Sequence, residues 1–157
     1  MPRVPHMTAV LVLLTASTSL AQAPAALRTE VQNVVRAYTD AANKADTSAY
    51  TEIYSRQAGV TSIADGTILR GWEAIRTDAD SMLGREGGYQ ISVGSIDVTP
   101  LGTGFVLAVA PTTVNVQTDK GAVLLHRALT LVLQRTAEGW KIIHDHTSFV
   151  PLQSAGE

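Results

Sequence analysis

There is no cysteine anywhere in the chain. That removes disulfide staples, thiolate nucleophiles and every cysteine-based metal site at once, and leaves packing and hydrogen bonding to hold the fold. Histidine is nearly as scarce: of four, His6 lies close to the N-terminus, so His126, His144 and His146 are the imidazoles available to a site. An excess of charge is lacking too. Twelve Lys and Arg face fourteen Asp and Glu, scattered singly and without a basic stripe, so neither nucleic acid nor an anionic membrane surface is an expected partner. The sequence carries no phosphate-cradling glycine pattern, no serine nucleophile elbow and no zinc-ligand spacing, so no cofactor and no metal is expected.

Long apolar runs are absent except near the start. Met7 to Leu20, centred on Val10 to Leu14, is too short to cross a bilayer and reads as the apolar region of an export signal. Of two overlapping small-residue patterns, Ser19-Leu20-Ala21 is preferred to Ala21-Gln22-Ala23, which would put Pro24 directly after the cut. Residues 1–21 are therefore expected to leave, giving a periplasmic or secreted protein with no stable membrane span; an uncleaved anchor is the alternative. What remains, 22–157, suits one domain with its core at about 27–149. It loses Arg3 and no acid, which takes the net charge from −2 to about −3.

Apolar residues recur at three- and four-residue steps from Ala25 to Ala45, which predicts a helix. Thr47 or Ser48 can cap a short second helix carrying Tyr50, Ile53 and Tyr54. Asp65-Gly66 between β-favouring runs predicts a hairpin. A third helix opens at Gly71-Trp72 and ends by Gly84 or Gly87-Gly88. The rest alternates as strand: Tyr89 to Thr99, Phe105 to Gln117, Ala122 to Arg135 and Trp140 to Phe149, joined by turns that include Asp119-Lys120-Gly121. This is an α+β chain whose long meander must bury one face, with helices as the only cover.

The last strand mixes core and titratable side chains. A period of two puts Trp140, Ile142, His144, His146 and Ser148 on one face and Lys141, Ile143, Asp145, Thr147 and Phe149 on the other. Together with Gly66-Thr67-Ile68-Leu69-Arg70-Gly71-Trp72-Glu73-Ala74-Ile75, the stretch Gly139-Trp140-Lys141-Ile142-Ile143-His144-Asp145-His146-Thr147-Ser148 resembles the nuclear-transport-factor-2-like (NTF2-like) superfamily. More narrowly it resembles its SnoaL-like and DUF4440 branch, related to the association domain of calcium/calmodulin-dependent kinase II. The resemblance implies a cone in which three helices pack on a strongly curved antiparallel sheet of about six strands, a pocket at the wide end, and dimerisation across the outer sheet face. The superfamily includes ketosteroid isomerases, dehydratases and polyketide cyclases beside members that only bind or assemble, so it implies no single activity. The pocket arginine that the resemblance places before the motif's serine is Thr147 here, and the position two before Thr130 is Ala128, with Arg127 one step off.

Asp145 is the leading site candidate. A carboxylate inside an apolar cone has a raised pKa unless paired, and can then act as general acid or base, with Tyr38 or Tyr54 as a hydroxyl partner. Arg127 shares the inward parity of its strand and could instead neutralise Asp145 in a structural ion pair. Arg127, Thr147, Trp72 and Ile143 are the candidate ligand contacts. His144 and His146 are one ligand short of a metal site and, with Trp140, suit a subunit interface or an alternative site. Three functions stay open: a homodimeric domain holding a small, largely apolar ligand, an isomerase-, dehydratase- or cyclase-like enzyme, and an assembly module. Export is tested by the mass of the protein recovered from a bacterial envelope fraction. The expected mass lacks residues 1–21, whereas a full-length mass would mark the run as a retained anchor.

Overall fold

The structure is a computed structural model that describes residues 23–64, 66–84, 89–118 and 121–149. The proposed signal, Asp65, Gly87-Gly88 and the Asp119-Lys120 turn lie outside the described residues. The elements follow the order α1 (Ala25–Asn43), α2 (Thr47–Glu52), β1 (Thr61–Ala64), β2 (Thr67–Arg70), α3 (Trp72–Leu83), β3 (Tyr89–Val93), β4 (Asp97–Gly102), β5 (Phe105–Thr118), β6 (Gly121–Thr136) and β7 (Gly139–Phe149). The sheet has seven strands rather than six, in the order β2-β1-β7-β6-β5-β3, with β4 also on β5. It is mixed: β1 runs parallel to β7. The stretch expected as one strand from Tyr89 to Thr99 is two, because Gly94, Ser95 and Ile96 leave the ladder between β3 and β4, and the two pieces pair with successive parts of β5.

α1 forms because Val31, Val35, Tyr38 and Ala42 recur on one buried stripe. Its end is fixed by the chain's one described left-handed non-glycine residue, Ala45 at φ 52°. There Ala45 N–H donates to Ala42 O and Asp46 N–H to Ala41 O, both at 3.0 Å. This is a Schellman closure. It turns the chain straight into α2, whose cap is Asp46, accepting from Ala49 N–H at 2.9 Å, and not the expected Thr47 or Ser48. Two side-chain amides then hold α1 to the sheet. Asn43 donates to Ile91 O at 2.9 Å and accepts from Ile91 N–H at 2.6 Å, while Gln32 donates to Ile96 O at 3.2 Å.

The core lies between this helix layer and the inner face of β5, β6 and β7, where Val106, Leu131, Leu133 and Ile142 are almost completely buried. The period of two along β7 does not run unbroken. Val132 pairs with His144 but Leu133 with Ile142, so Ile143 is an extra residue in a bulge. Trp140 and Ile142 therefore face the helices, and so do Asp145 and Thr147, while His144 and His146 face away. The bulge sits where α2 ends: Ile142 N–H donates to Ile53 O at 2.9 Å and Ser55 N–H donates to Ile142 O at 2.8 Å. The α2 segment is thus stitched directly to β7. Ala45→Gly should relieve the left-handed strain and raise unfolding stability by about 1 kcal/mol, read as a higher denaturant midpoint at unchanged slope; an unchanged or lower midpoint would show that no strain is held there.

Candidate functional site

Ser62 of β1 is the cross-strand partner of Asp145, and both point inward. Across the layer, α1 lowers Tyr38 onto the same spot, and α2 with its trailing turn supplies Tyr50 and Tyr54. The five side chains meet in one buried cluster. Tyr38 Oη donates to Asp145 Oδ2 at 3.2 Å, Tyr54 Oη donates to the same oxygen, and Ile63 N–H donates to Oδ1 at 3.2 Å. Ser62 adds a further hydrogen bond to the carboxylate. Tyr50 Oη lies 2.7 Å from Tyr38 Oη and 3.3 Å from Tyr54 Oη, and the three rings pack with centroids 4.8 to 6.1 Å apart.

Asp145 is 2% exposed. Burial pushes its carboxyl up from the usual carboxylate range, against the hydrogen bonds from Ser62, Tyr54, Ile63 and Tyr38 that pull it down. Burial also drives the Tyr38 and Tyr54 phenols well above their ordinary value, assisted in both by Tyr50 and the carboxylate and in Tyr54 also by Tyr38, while the hydrogen bond from Tyr54 pulls Tyr38 the other way, so they remain protonated donors.

This cluster floors a cavity of about 70 Å³. Tyr38, Tyr50, Ser62 and Asp145 are its buried end, Val114, Leu129 and Thr112 its wall, and exposed Asp78 and Ala64 mark its opening. Arg127 and Thr147 also line it. The donors that solvate the Asp145 carboxylate are hydroxyls and the Ile63 amide. Asp145 pairs with Leu131, and Arg127 lies four residues farther along β6, about 13 Å at strand spacing.

Asp145, Tyr38, Arg127 and Thr147 thus come together at one cavity. Tyr54 supports the carboxylate from behind without lining it. Trp72 and Ile143 do not line it. Trp72 instead donates to Thr51 O at 3.0 Å and carries the Arg56 guanidinium 4.2 Å over its ring, closing α3 onto α2; Ile143 is taken up by the bulge. His144 and His146 are on the other sheet face, with His144 Nδ1 2.7 Å from Thr61 Oγ1. Trp140 does not share that face. It donates to Glu30 Oε2 at 3.0 Å and lies 5.3 Å from the Arg135 guanidinium. No group of three or more metal-ligating side chains occurs among the described residues. Tyr50, Ser62 and Thr112 are lining residues that the sequence did not single out for the site. Tyr50 and Tyr54 are one helical turn apart, a spacing that could have paired them; Ser62 and Thr112 carry no local signal.

Fold and site define an α+β cone whose cavity ends in a carboxyl and phenol cluster. The SnoaL-like domain family matches residues 31–153, and the chain belongs to that family. No curated protein matches it. Among solved structures, a proposed dehydratase of the NTF2-like family from Streptomyces avermitilis is 18% identical with a TM-score of 0.73, over 82% of this chain and 99% of that one. A proposed aromatic-ring hydroxylase from Novosphingobium aromaticivorans is 19% identical at 0.74, over 82% and 92%. A proposed calcium/calmodulin-dependent kinase II association domain from Xanthomonas campestris is 15% identical at 0.66, over 78% and 87%. At these identities the likeness is one of fold.

The raised carboxyl ties stability to pH. Between its ordinary value of about 3.8 and the higher native one, the native state holds more proton than the unfolded chain. This group's contribution is therefore complete below the ordinary value and lost as pH rises through the native one. Asp145→Asn should remove that decline, a difference read from denaturation curves of the two proteins between pH 4 and 8. Asp145→Ala, which leaves the Ile63 N–H and the hydroxyls without their acceptor, should cost about 2–3 kcal/mol. Equal stability of the Ala variant and the wild type would mean that the cluster holds nothing together.

Proposed function

We propose that this protein is an exported SnoaL-like domain whose cone binds a small molecule, apolar over most of its surface and polar at one end. The observation that carries this reading is a cavity whose buried end is made of Tyr38, Tyr50, Ser62 and Asp145 and whose walls set apolar Ala42, Met82, Ile91, Val114 and Leu129 beside Thr112, Thr147 and Arg127. Such a site desolvates an apolar body and orients it by one hydrogen-bonding group. A volume of about 70 Å³ is well below that of drug-sized pockets and about half that of a cavity that takes up benzene, which fits the polar end of a small ligand whose apolar body lies toward the opening.

A second reading, general acid–base catalysis, is favoured by the upward shift of the Asp145 carboxyl. An acid held closer to neutrality can take a proton next to a carbonyl or hydroxyl while a phenol polarises the oxygen. Tyr38 and Tyr50, which line the cavity, are placed for the latter role, whereas Tyr54 is behind the carboxylate. A dehydration of this kind would suit the name given to the Streptomyces avermitilis protein.

The outer sheet face supports a homodimer in either case. Alternate positions there run Leu107, Val109 and Pro111 on β5 and Ala128, Thr130 and Val132 on β6, without a charged side chain, and Val109 and Leu124 are 38% and 48% exposed. His144 and His146 extend this face.

Native mass spectrometry of the exported protein tests all of this. A dimer carrying the excess mass of a small organic molecule is the expected result. Asp145→Asn, folded by circular dichroism, should lose that mass or weaken its retention about tenfold. A ligand-free dimer that binds no single-ring alcohol, ketone or phenol would overturn the binding reading in favour of assembly.

A further inference from the structure

The two histidines of β7 take no part in the cavity. The bulge ends before them: His144, Asp145 and His146 pair in unbroken register with Val132, Leu131 and Thr130. His144 and His146 therefore stand two residues apart on the sheet face turned away from the helices, with Cα atoms about 7 Å apart and both rings projecting to the same side. At that spacing two imidazoles can close on one ion, each through a bond of about 2.0–2.1 Å.

One of the rings is already oriented. His144 Nδ1 lies 2.7 Å from Oγ1 of Thr61, its cross-strand partner on β1. When Nδ1–H donates to that hydroxyl, the lone pair is on Nε2, at the far side of the ring. An oxygen held against the second nitrogen is how metal-binding imidazoles are fixed in tautomer and direction. His146 is exposed and His144 half-buried, so an ion reaches both from solvent. The flanking positions are uncharged, with Val132 and Thr130 on β6 and Thr61 and Ile63 on β1. Of the nearby cations, Arg70 stands one strand farther out, across from Thr61, and Lys141 is turned to Glu52 O and Glu138.

We propose that His144 and His146 are a chelating pair for a borderline divalent ion, Cu2+, Ni2+ or Zn2+, and that Thr61 positions the His144 ring. Imidazole suits these ions, whereas Mg2+ and Ca2+ favour oxygen ligands. Two nitrogens are fewer than a structural or catalytic zinc set needs, and water fills the remaining positions. A second copy packed on this face would replace that water with its own pair and close a four-nitrogen site. His126 shares the face without joining the chelate. It lies four residues along β6 from Thr130, the partner of His146, about 13 Å at strand spacing. The site is independent of any ligand in the cone.

The test is a Zn2+ titration of the whole untagged protein, followed through the imidazole ring resonances of His126, His144 and His146 by NMR. Those of His144 and His146 should move together while those of His126 stay, and Mg2+ should move none. Native mass spectrometry should then count one zinc per chain, or one per two chains where a second copy closes the site. Thr61→Val, which keeps the shape of a strand-forming side chain, should weaken Zn2+ binding about 10- to 100-fold, and Thr61→Ser should restore it. His146→Gln should weaken it at least as far, and His126→Gln should leave it unchanged. Zinc that moves only His126, or binds His146→Gln as tightly as the wild type, overturns the chelate. Wild-type affinity in Thr61→Val overturns the positioning role of that hydroxyl.

Discussion

The burial of the Asp145 carboxylate is the constraint around which the rest of this fold is arranged. An isolated ionised carboxylate is not tolerated in an apolar interior, so it must be given donors or take up a proton. Here it has both solutions within reach. Tyr38, Tyr54, Ser62 and the Ile63 amide solvate it, yet burial still shifts it upward. Those donors come from α1, the segment after α2, and β1, three parts of the chain with no local connection to β7. Satisfying one side chain therefore sets the relative position of both layers.

Several otherwise separate features serve this arrangement. The Schellman closure at Ala45 directs α2 back across the sheet, and the Ile53 and Ser55 backbone bonds to Ile142 fix it there. The parallel pairing of β1 with β7 sets Ser62 beside Asp145. Asn43 attaches α1 to β3 by imitating strand hydrogen bonds, and Gln32 attaches it to Ile96 in the link between β3 and β4. The polar end of the cavity is thereby buried and tied to several elements, while its opening lies among half-buried and exposed residues.

Much of the fold is legible in the sequence because it depends on short-range periodicity. The stripe of Val31, Val35, Tyr38 and Ala42 makes α1 by itself, and the alternation from Phe105 onward makes the long strands. The parity of β7 is legible only in part. Asp145 and Thr147 do face inward, but Trp140 and Ile142 face inward with them, because Ile143 drops out of the ladder. A bulge is a response to the backbone of the α2 segment approaching from another part of the chain, and no local pattern in β7 announces it. The same holds for Trp72, whose helical spacing is right but whose indole is claimed by Thr51 O and Arg56.

By itself the sequence determined the elements apart from the break between β3 and β4, the family resemblance and the choice of Asp145 as the residue to explain, since each follows from residue type and spacing along one segment. Tertiary structure alone decided which phenols surround that carboxyl, that Ser62 and the Ile63 amide share it, and that Arg127 stands some four residues away along β6. The physical reason is that a hydrogen-bond network across layers is a property of register and docking. These are fixed only when several elements bury their apolar faces together, and a shift of one residue in any of them would change every partner.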